Sequence, residues 1–158
     1  LPFRHSVDEL IEVMKPWYGN YCFDNSECGM AIIYNPAMAL NFVDNYIQSN
    51  YEIPKKPCEV ISSTDHEIVR QLIRYAKEFA HDSCIIEDIM TKGFALGYLL
   101  DIFPATSINT PDGILSLLFN LGMVTIDGTY QSYTRFVITN EAVRKQMQTN
   151  LQIVLSPI

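Results

Sequence analysis

Basic residues, histidines and long apolar runs are all scarce in this sequence. Of its 158 residues, 11 are Lys or Arg and 18 are Asp or Glu, which gives a formal net charge of −7. A broad basic footprint for nucleic acid is therefore excluded. No apolar run approaches the roughly 20 residues that span a bilayer, and no signal-peptide pattern opens the chain. We therefore expect a cytoplasmic protein with no membrane partner, and Leu1 in place of Met indicates a piece of a longer protein or a processed product.

Phosphate-binding and nucleophilic motifs are missing too. The seven glycines stand apart, and none belongs to a loop that leads into Lys and then Ser or Thr, so we expect no nucleotide hydrolysis by this chain alone. No serine has glycines two positions away on both sides, which excludes a nucleophile elbow. We predict no catalytic residue. A weaker hypothesis, a stand-alone hydrolase using His66 or His81, lacks a nucleophile with a defined partner.

The four cysteines do not form a metal-binding pattern. Cys22, Cys28, Cys58 and Cys84 include no C-x-x-C pair and have no histidine at zinc-site spacing. We therefore predict no metal site. Cys22 and Cys28 could close a small loop, but in a reducing compartment free thiols are the expected state of all four.

The composition predicts one folded domain. With 48% hydrophobic residues, a chain of this length can bury a single core and is too short for a second full one. We predict a single compact domain over residues 1–158, with a mostly helical part over 1–93 and a winged-helix-like part over 94–158. The fold class is α+β, mainly helical, with a helix, β-hairpin and helix at the C-terminal end.

Side chains that can accept hydrogen bonds from free backbone amides mark the helix starts. Two of them have the Ser/Thr–Glu spacing of a capping box, and two precede a proline. After the second of these starts, an apolar helix surface is predicted from Leu40, Phe42, Val43 and Tyr46. The five starts are at Ser6 (with Glu9), Asn35 (with Pro36), Thr64 (with Glu67), Thr110 (with Pro111) and Asn140.

Proline and glycine predict where the helices end. We expect Pro16 to end the first helix before Trp17, because proline disfavours helical geometry at the residue before it. Gly93 and Gly122 are expected to end later helices. Strands are predicted over 30–34, 94–103 (with a helix as the alternative), 123–126 and 133–139, with the last two joined around Asp127-Gly128.

Two groups of residues raise the hypothesis of nucleic-acid binding. The aromatic run at Trp17, Tyr18, Tyr21 and Phe23 could stack on bases, but the shortage of neighbouring basic residues favours core packing. Between Tyr133 and Met147, by contrast, the basic residues Arg135, Arg144 and Lys145 outnumber Glu141. The alternative function is therefore a nucleic-acid-binding winged helix that uses these three residues. The same basic residues could also form the solvated face of an ordinary amphipathic helix.

Four segments, in this order along the chain, resemble the signatures of one family. Residues 17–23, WYGNYCF, are similar to W-Y-D-G-Y-x-F, and residues 34–42, YNPAMALNF, to Y-N-P-x-S-x-L-N-F. Residues 116–126, SLLFNLGMVTI, are similar to S-L-L-F-Q-x-G-Y-L-T-I, and residues 138–144, ITNEAVR, to I-P-N-x-E-V-R. Together they resemble the C-terminal half of the AAA-ATPase-like proteins, a family common in gut and oral Bacteroidetes. In the first two segments the departures are at Gly19 and Asn20, which replace Asp and Gly, at Cys22, where the family has Arg, and at Met38, where it has Ser.

The resemblance implies a role that is not catalytic. It implies a lid and winged-helix-like module that couples an N-terminal nucleotide-binding core to a partner or to a C-terminal PD-(D/E)XK nuclease-like domain. ATP and Mg²⁺ would belong to the parent protein, and this fragment would hold no cofactor. Tyr34, Asn35 and Asn41 are the polar motif residues for which we predict an interdomain contact, and an internal hydrogen-bond network is the alternative.

Overall fold

Helices dominate the part of the chain that a computed structural model describes. This part comprises residues 3–22, 33–55, 63–79, 85–101 and 109–156, the side chains of 63–65 and 79 excepted. The architecture is α+β and mainly helical, as predicted. None of the helices in these ranges is both long and apolar enough to cross a membrane. The elements are α1 (Val7–Tyr18), α2 (Pro36–Gln48), α3 (Ser63–Phe79), α4 (Ile85–Lys92), β1 (Ala95–Gly97), α5 (Pro111–Asn120), β2 (Val124–Tyr130), β3 (Tyr133–Ile138) and α6 (Glu141–Leu155).

Capping side chains begin four of the helices where the sequence predicts. At α1 the capping box is complete, because the Glu9 amide donates to Ser6 Oγ at 3.2 Å and the Ser6 amide donates to Glu9 Oε2 at 2.7 Å. The caps of α2, α5 and α6 are Asn35, Thr110 and Asn140. Thr64 lies one residue inside α3, and the Glu67 carboxylate accepts from the Arg70 guanidinium.

The predicted end of α1 before Trp17 is wrong, because the helix continues through Pro16 to Tyr18. Proline inside a helix costs about 3 kcal/mol, since it lacks an N–H and crowds the preceding turn. Tyr18, two residues after Pro16, is buried against Phe42 of α2. Burial of a large apolar side chain stabilises the folded state by roughly 1.5–3 kcal/mol. The tertiary contact therefore offsets the local cost.

The three strands form one antiparallel sheet in the order β1-β3-β2. In β1, Ala95 pairs with Phe136, so a strand is present where one was preferred over a helix, although it is shorter than 94–103. The predicted strand over 30–34 lies mostly outside the described residues. Of that segment, Ile33 forms a single antiparallel bridge with Tyr21.

The β2–β3 hairpin turns later than predicted. The turn is at Gln131-Ser132, and both residues have positive φ (47° and 74°), which is the backbone of a tight two-residue hairpin turn. The pairing shifts register between Ile126 and Thr129, so Asp127-Gly128 forms a β-bulge inside β2. Gly128, with φ of 87°, supplies the left-handed conformation that such a bulge needs. The glycine that predicted a turn therefore serves the bulge.

Two groups of buried apolar residues hold the helices and the sheet together. In α2, Met38, Phe42 and Tyr46 recur every four residues and are buried. Leu40 and Val43 are exposed, and their predicted place on the buried surface is wrong because they lie on another face of the helix. The larger core includes Ile73, Ile89, Leu115, Phe136 and Met147, and the smaller core contains Tyr18, Met38, Phe42 and Ala142.

Cys22 is disulfide-bonded and buried. The expectation of free thiols is therefore wrong for this residue. That expectation came from a general argument about compartments, whereas bond formation depends on whether the fold brings two sulfur atoms together. Cys28, Cys58 and Cys84 lie outside the described residues.

Candidate functional site

The four family-like segments, which are far apart in the sequence, meet at one place. Asn140 of the fourth segment donates from Nδ2 to the carbonyl oxygen of Gly19 in the first, at 2.9 Å across 121 residues. In the second segment, the backbone N–H of Asn35 donates to the carbonyl oxygen of Tyr18 at 3.0 Å. Because Asn140 and Asn35 are also helix caps, these bonds tie the start of α6 and the start of α2 to the end of α1.

The third segment joins the same place through Gly122. The Thr139 hydroxyl donates to the Gly122 carbonyl oxygen at 2.7 Å, in a buried position. Gly122 has φ of 72°, and a Cβ placed on it would lie 3.1 Å from the ring of Tyr21. Only glycine fits this approach without displacing the ring. We call this meeting point the motif hub and define it as Gly19, Tyr21, Asn35, Gly122 and Asn140.

A cavity of about 340 Å³ opens beside the motif hub. Two of the three predicted contact residues, Tyr34 and Asn35, line this cavity. The third, Asn41, is not among its lining residues. In the part of the chain that the structure describes, the cavity wall comes from three of the family-like segments and Ile33, with the lining residues Tyr21, Ile33, Tyr34, Asn35, Pro36, Asn120, Leu121 and Gly122.

The two asparagines among the predicted contact residues, Asn35 and Asn41, form hydrogen bonds within the chain. Asn35 Oδ1 accepts from the amides of Ala37 and Met38 at 3.1 and 3.2 Å. Asn45 Nδ2 donates both to Asn41 Oδ1 and to the Asn41 carbonyl oxygen. Asn35 and Asn41 therefore stabilise α2. These bonds agree with the internal hydrogen-bond network that was the alternative to an interdomain contact.

The three candidate nucleic-acid-binding cations each have a neighbour within the chain. Arg135 forms an ion pair with Asp127, and its guanidinium stands 4.9 Å from the ring centre of Phe94. Arg144 Nε lies 3.4 Å from Glu141 Oε1. The third, Lys145, has its Nζ 4.4 Å from the ring centre of Trp17.

Of the two histidines in the hydrolase hypothesis, the structure describes His66, whose hydrogen-bond partner is an asparagine amide and not a nucleophile. His66 Nδ1 lies 2.8 Å from Nδ2 of Asn150, an amide that also donates to the Gln146 carbonyl oxygen. His81 lies outside the described residues. In the described ranges, no three residues among His, Cys, Asp and Glu converge as metal ligands would.

A second surface, which the sequence reasoning missed, covers the outer side of the sheet. Gly97 pairs with Thr134, so the next residue, Tyr98, lies beside Tyr133, which in turn pairs with Tyr130. Tyr98, Tyr133 and Tyr130 are 48%, 42% and 57% exposed. The ring centres of Tyr98 and Tyr133 are 5.0 Å apart. We define the tyrosine face as these three residues together with Phe94 and Arg135, which lie on the same side of the sheet.

The environment of Tyr98 combines aromatic and acidic neighbours. Desolvation raises the pKa of its phenol above the ordinary value, and the neighbouring Tyr133 and Asp112 raise that pKa further. Asp112 also holds the backbone here, because its Oδ1 accepts from the Tyr98 amide at 2.9 Å. The tyrosine face therefore includes a carboxylate at its border.

No family model, no curated protein and no solved structure matches this chain. The resemblance to the AAA-ATPase-like proteins therefore remains a prediction that rests on the four segments.

Proposed function

We propose that this chain is a non-catalytic lid and winged-helix-like module of an AAA-ATPase-like protein. In this proposal it couples an N-terminal nucleotide-binding core to a partner or to a C-terminal nuclease-like domain. ATP and Mg²⁺ would be bound by the core of the parent protein. This module would transmit a change of position and would not make or break bonds.

The observation that carries the proposal is the motif hub. Four separate segments are joined by hydrogen bonds between their polar groups, as in the bonds from Asn140 to Gly19 and from Thr139 to Gly122. Residues arranged in this way stabilise a fixed shape, because buried polar groups must find partners. The cavity beside the hub exposes Ile33 and Leu121, which are apolar contacts of the kind a neighbouring domain covers.

The C-terminal elements support the winged-helix-like part of the proposal. Helix α5 precedes the β2–β3 hairpin, β1 adds to the sheet beside β3, and α6 follows. In a winged helix that binds DNA, the helix before the hairpin is the one expected to enter the major groove. Helix α5 has no Lys or Arg and is largely buried, which is unlike a helix that reads DNA and therefore favours the coupling role over the nucleic-acid alternative.

Two measurements test the proposal. Calorimetric titration of the chain with Mg-ATP should show no binding, and stoichiometric binding with turnover would overturn it. In the second measurement, the nucleotide-binding core encoded upstream is expressed separately and mixed with the chain. Leu121→Arg, at the cavity, should abolish their association, whereas Leu155→Arg, at a similarly exposed position on α6 (46% against 44%), should not.

The alternative function is a nucleic-acid-binding winged helix that uses Arg135, Arg144 and Lys145. Its test is titration with a short DNA duplex at low salt, because phosphate contacts weaken as salt rises. Salt-dependent binding that is lost on charge reversal of the three residues would favour this function. No shift at low salt would end it.

The cytoplasm is the location that we propose for the parent protein, because ATP is available there. The disulfide at Cys22 weighs against a reducing compartment. Thiol titration of protein purified without oxidant decides this point, since four reactive thiols after unfolding would support the cytoplasm and fewer would argue for an oxidising compartment.

A further inference from the structure

The tyrosine face lies apart from the motif hub residues and has no part in the proposed coupling through the cavity. Its three phenol rings lie across neighbouring strands at the same level of the sheet, and each is at least 42% exposed. The opposite side of the same sheet is buried through Ala95, Phe136 and Val124. One side of the sheet therefore forms the core, and the other presents aromatic rings to the surroundings.

The stretch of chain that carries the tyrosine face, residues 94–139, has a negative formal charge. Residues 94–139 contain three aspartates, Asp101, Asp112 and Asp127, and a single basic residue, Arg135. Because Asp127 pairs with Arg135, the basic charge is already compensated. A phosphate group would meet the Asp112 carboxylate beside Tyr98, whereas a cationic group would be attracted to that carboxylate and to the ring faces.

The tyrosine face already contains a contact of this kind. Arg135 stands over the ring of Phe94 at 4.9 Å from its centre, within the distance at which a cation is attracted to an aromatic face. Tyrosine and arginine, together with tryptophan, are also enriched among the residues that contribute most to binding at protein–protein interfaces. We propose that the tyrosine face docks a segment of a protein partner that carries arginine or lysine side chains, with the cationic groups placed over Tyr98, Tyr130 and Tyr133.

The test uses synthetic peptides as probes and the whole chain as the receptor. A flexible glycine peptide with several arginines is compared with the same peptide in which citrulline, a neutral analogue of similar shape, replaces each arginine. The chain is titrated while its tyrosine signals are followed by NMR. We expect the arginine peptide to shift the signals of Tyr98, Tyr130 and Tyr133, with an affinity that falls as salt rises. The citrulline peptide should bind at least 10-fold more weakly, about the loss expected when several cation–ring contacts disappear together.

Variants separate the rings from general changes in the protein. Tyr133→Leu should weaken binding by about 2- to 5-fold, which is the contribution expected of one exposed cation–ring contact. Tyr133→Phe keeps the ring and should bind nearly as the original chain does. Tyr51→Leu removes a tyrosine that packs on Phe3 and Tyr46, away from the sheet, and should leave peptide affinity unchanged.

Three outcomes would overturn the proposal. Equal binding of the citrulline peptide would exclude recognition of cations. Equal loss in Tyr133→Leu and Tyr51→Leu would exclude this face as the site. Binding of single-stranded oligonucleotide that Tyr133→Leu abolishes, without binding of the arginine peptide, would assign the face to base stacking instead.

Discussion

The motif hub and the tyrosine face use polar and aromatic residues in opposite ways. At the hub, the side chains of Asn35 and Asn140 each accept from backbone amides, and Asn140 also donates to the Gly19 carbonyl oxygen. On the tyrosine face, Tyr98, Tyr130 and Tyr133 keep about half of their surface in contact with solvent. The hub residues belong to the four family-like segments, whereas the three tyrosines of the face, Tyr98, Tyr130 and Tyr133, all lie outside those segments.

This difference teaches that a recognisable motif and a binding surface need not coincide. Residues that hold segments together must satisfy strict geometry, so their identity and spacing are visible in the sequence. A surface for a partner needs only exposed rings and charge, and it depends on which strands lie side by side. Substitutions at the hub should therefore change stability, and substitutions on the face should change binding.

The largest expected effect is at Asn140. Asn140→Ala removes a helix cap, worth about 1 kcal/mol, and leaves the Gly19 carbonyl oxygen without its donor, which costs about 1–3 kcal/mol when buried. We expect the free energy of unfolding to fall by about 2–4 kcal/mol, measured by urea denaturation. The matched control is Asn35→Ala, which removes only side-chain capping bonds and should cost about 1 kcal/mol. Equal losses in the two variants would contradict the role of the Asn140–Gly19 bond.

The next effect is at Gly122. Gly122→Ala places a side chain in a left-handed backbone conformation, at about 1–2 kcal/mol, and also presses its Cβ against the ring of Tyr21. Gly93→Ala is the control, because Gly93 has a similar φ of 86° but open space around it. Urea denaturation should show a larger loss for Gly122→Ala, and the difference should shrink when Tyr21→Ala is present in both. A difference that persists in the Tyr21→Ala background would refute the ring contact.

A smaller effect on stability is expected at Tyr133. Cross-strand aromatic pairs contribute roughly 0.2–1 kcal/mol, so Tyr133→Leu should lower the free energy of unfolding by less than about 1 kcal/mol. The same variant should lose part of its affinity for the arginine peptide. A loss of stability as large as that of Asn140→Ala would mean that the tyrosine face is structural and would erase the contrast with the hub.

The smallest effect is expected at Glu9, which belongs to neither region and serves as a reference. Hydrogen bonds from the Ser6 amide and hydroxyl hold the pKa of the Glu9 carboxyl below its ordinary value of 4.5. The folded state therefore favours the ionised form, and this stabilisation is present above pH 4.5 and lost as the pH falls through the lower, folded-state pKa. Urea denaturation should show Glu9→Gln slightly less stable than the original chain near neutral pH, with the difference vanishing in acid. A difference that grows in acid would contradict this assignment.

Most of the local structure could be predicted from the sequence because its causes are local. The caps at Ser6, Asn35, Thr110 and Asn140 depend on a side chain and amides at most three residues away. The errors have non-local causes. Pro16 stays inside α1 because Tyr18 is buried against another helix, and the hairpin turn moves because Gly128 is used by a bulge.

The candidate site was only partly predictable, for the same reason. Tyr34 and Asn35 were identified because they belong to a quoted segment, and Asn41 was grouped with them although it bonds along α2 instead. The tyrosine face could not be found from the sequence, since Tyr98 precedes Tyr133 by 35 positions and nothing in the spacing fixes the pairing of β1 with β3. The alternation of Phe94, Leu96 and Tyr98 was the available signal, and it becomes informative only once β1 is known to be a strand.

The bond between Asn140 and Gly19 also has a consequence for synthesis of the protein. The ribosome makes the N-terminal aromatic segment long before it makes residue 140. Trp17 and Tyr18 therefore stay uncovered by α6 until most of the chain has been synthesised. Contacts of such large sequence separation form slowly, and apolar groups left uncovered in the interval favour aggregation. Translation that stalls before Asn140 should therefore yield a nascent chain that depends on chaperones to remain in solution.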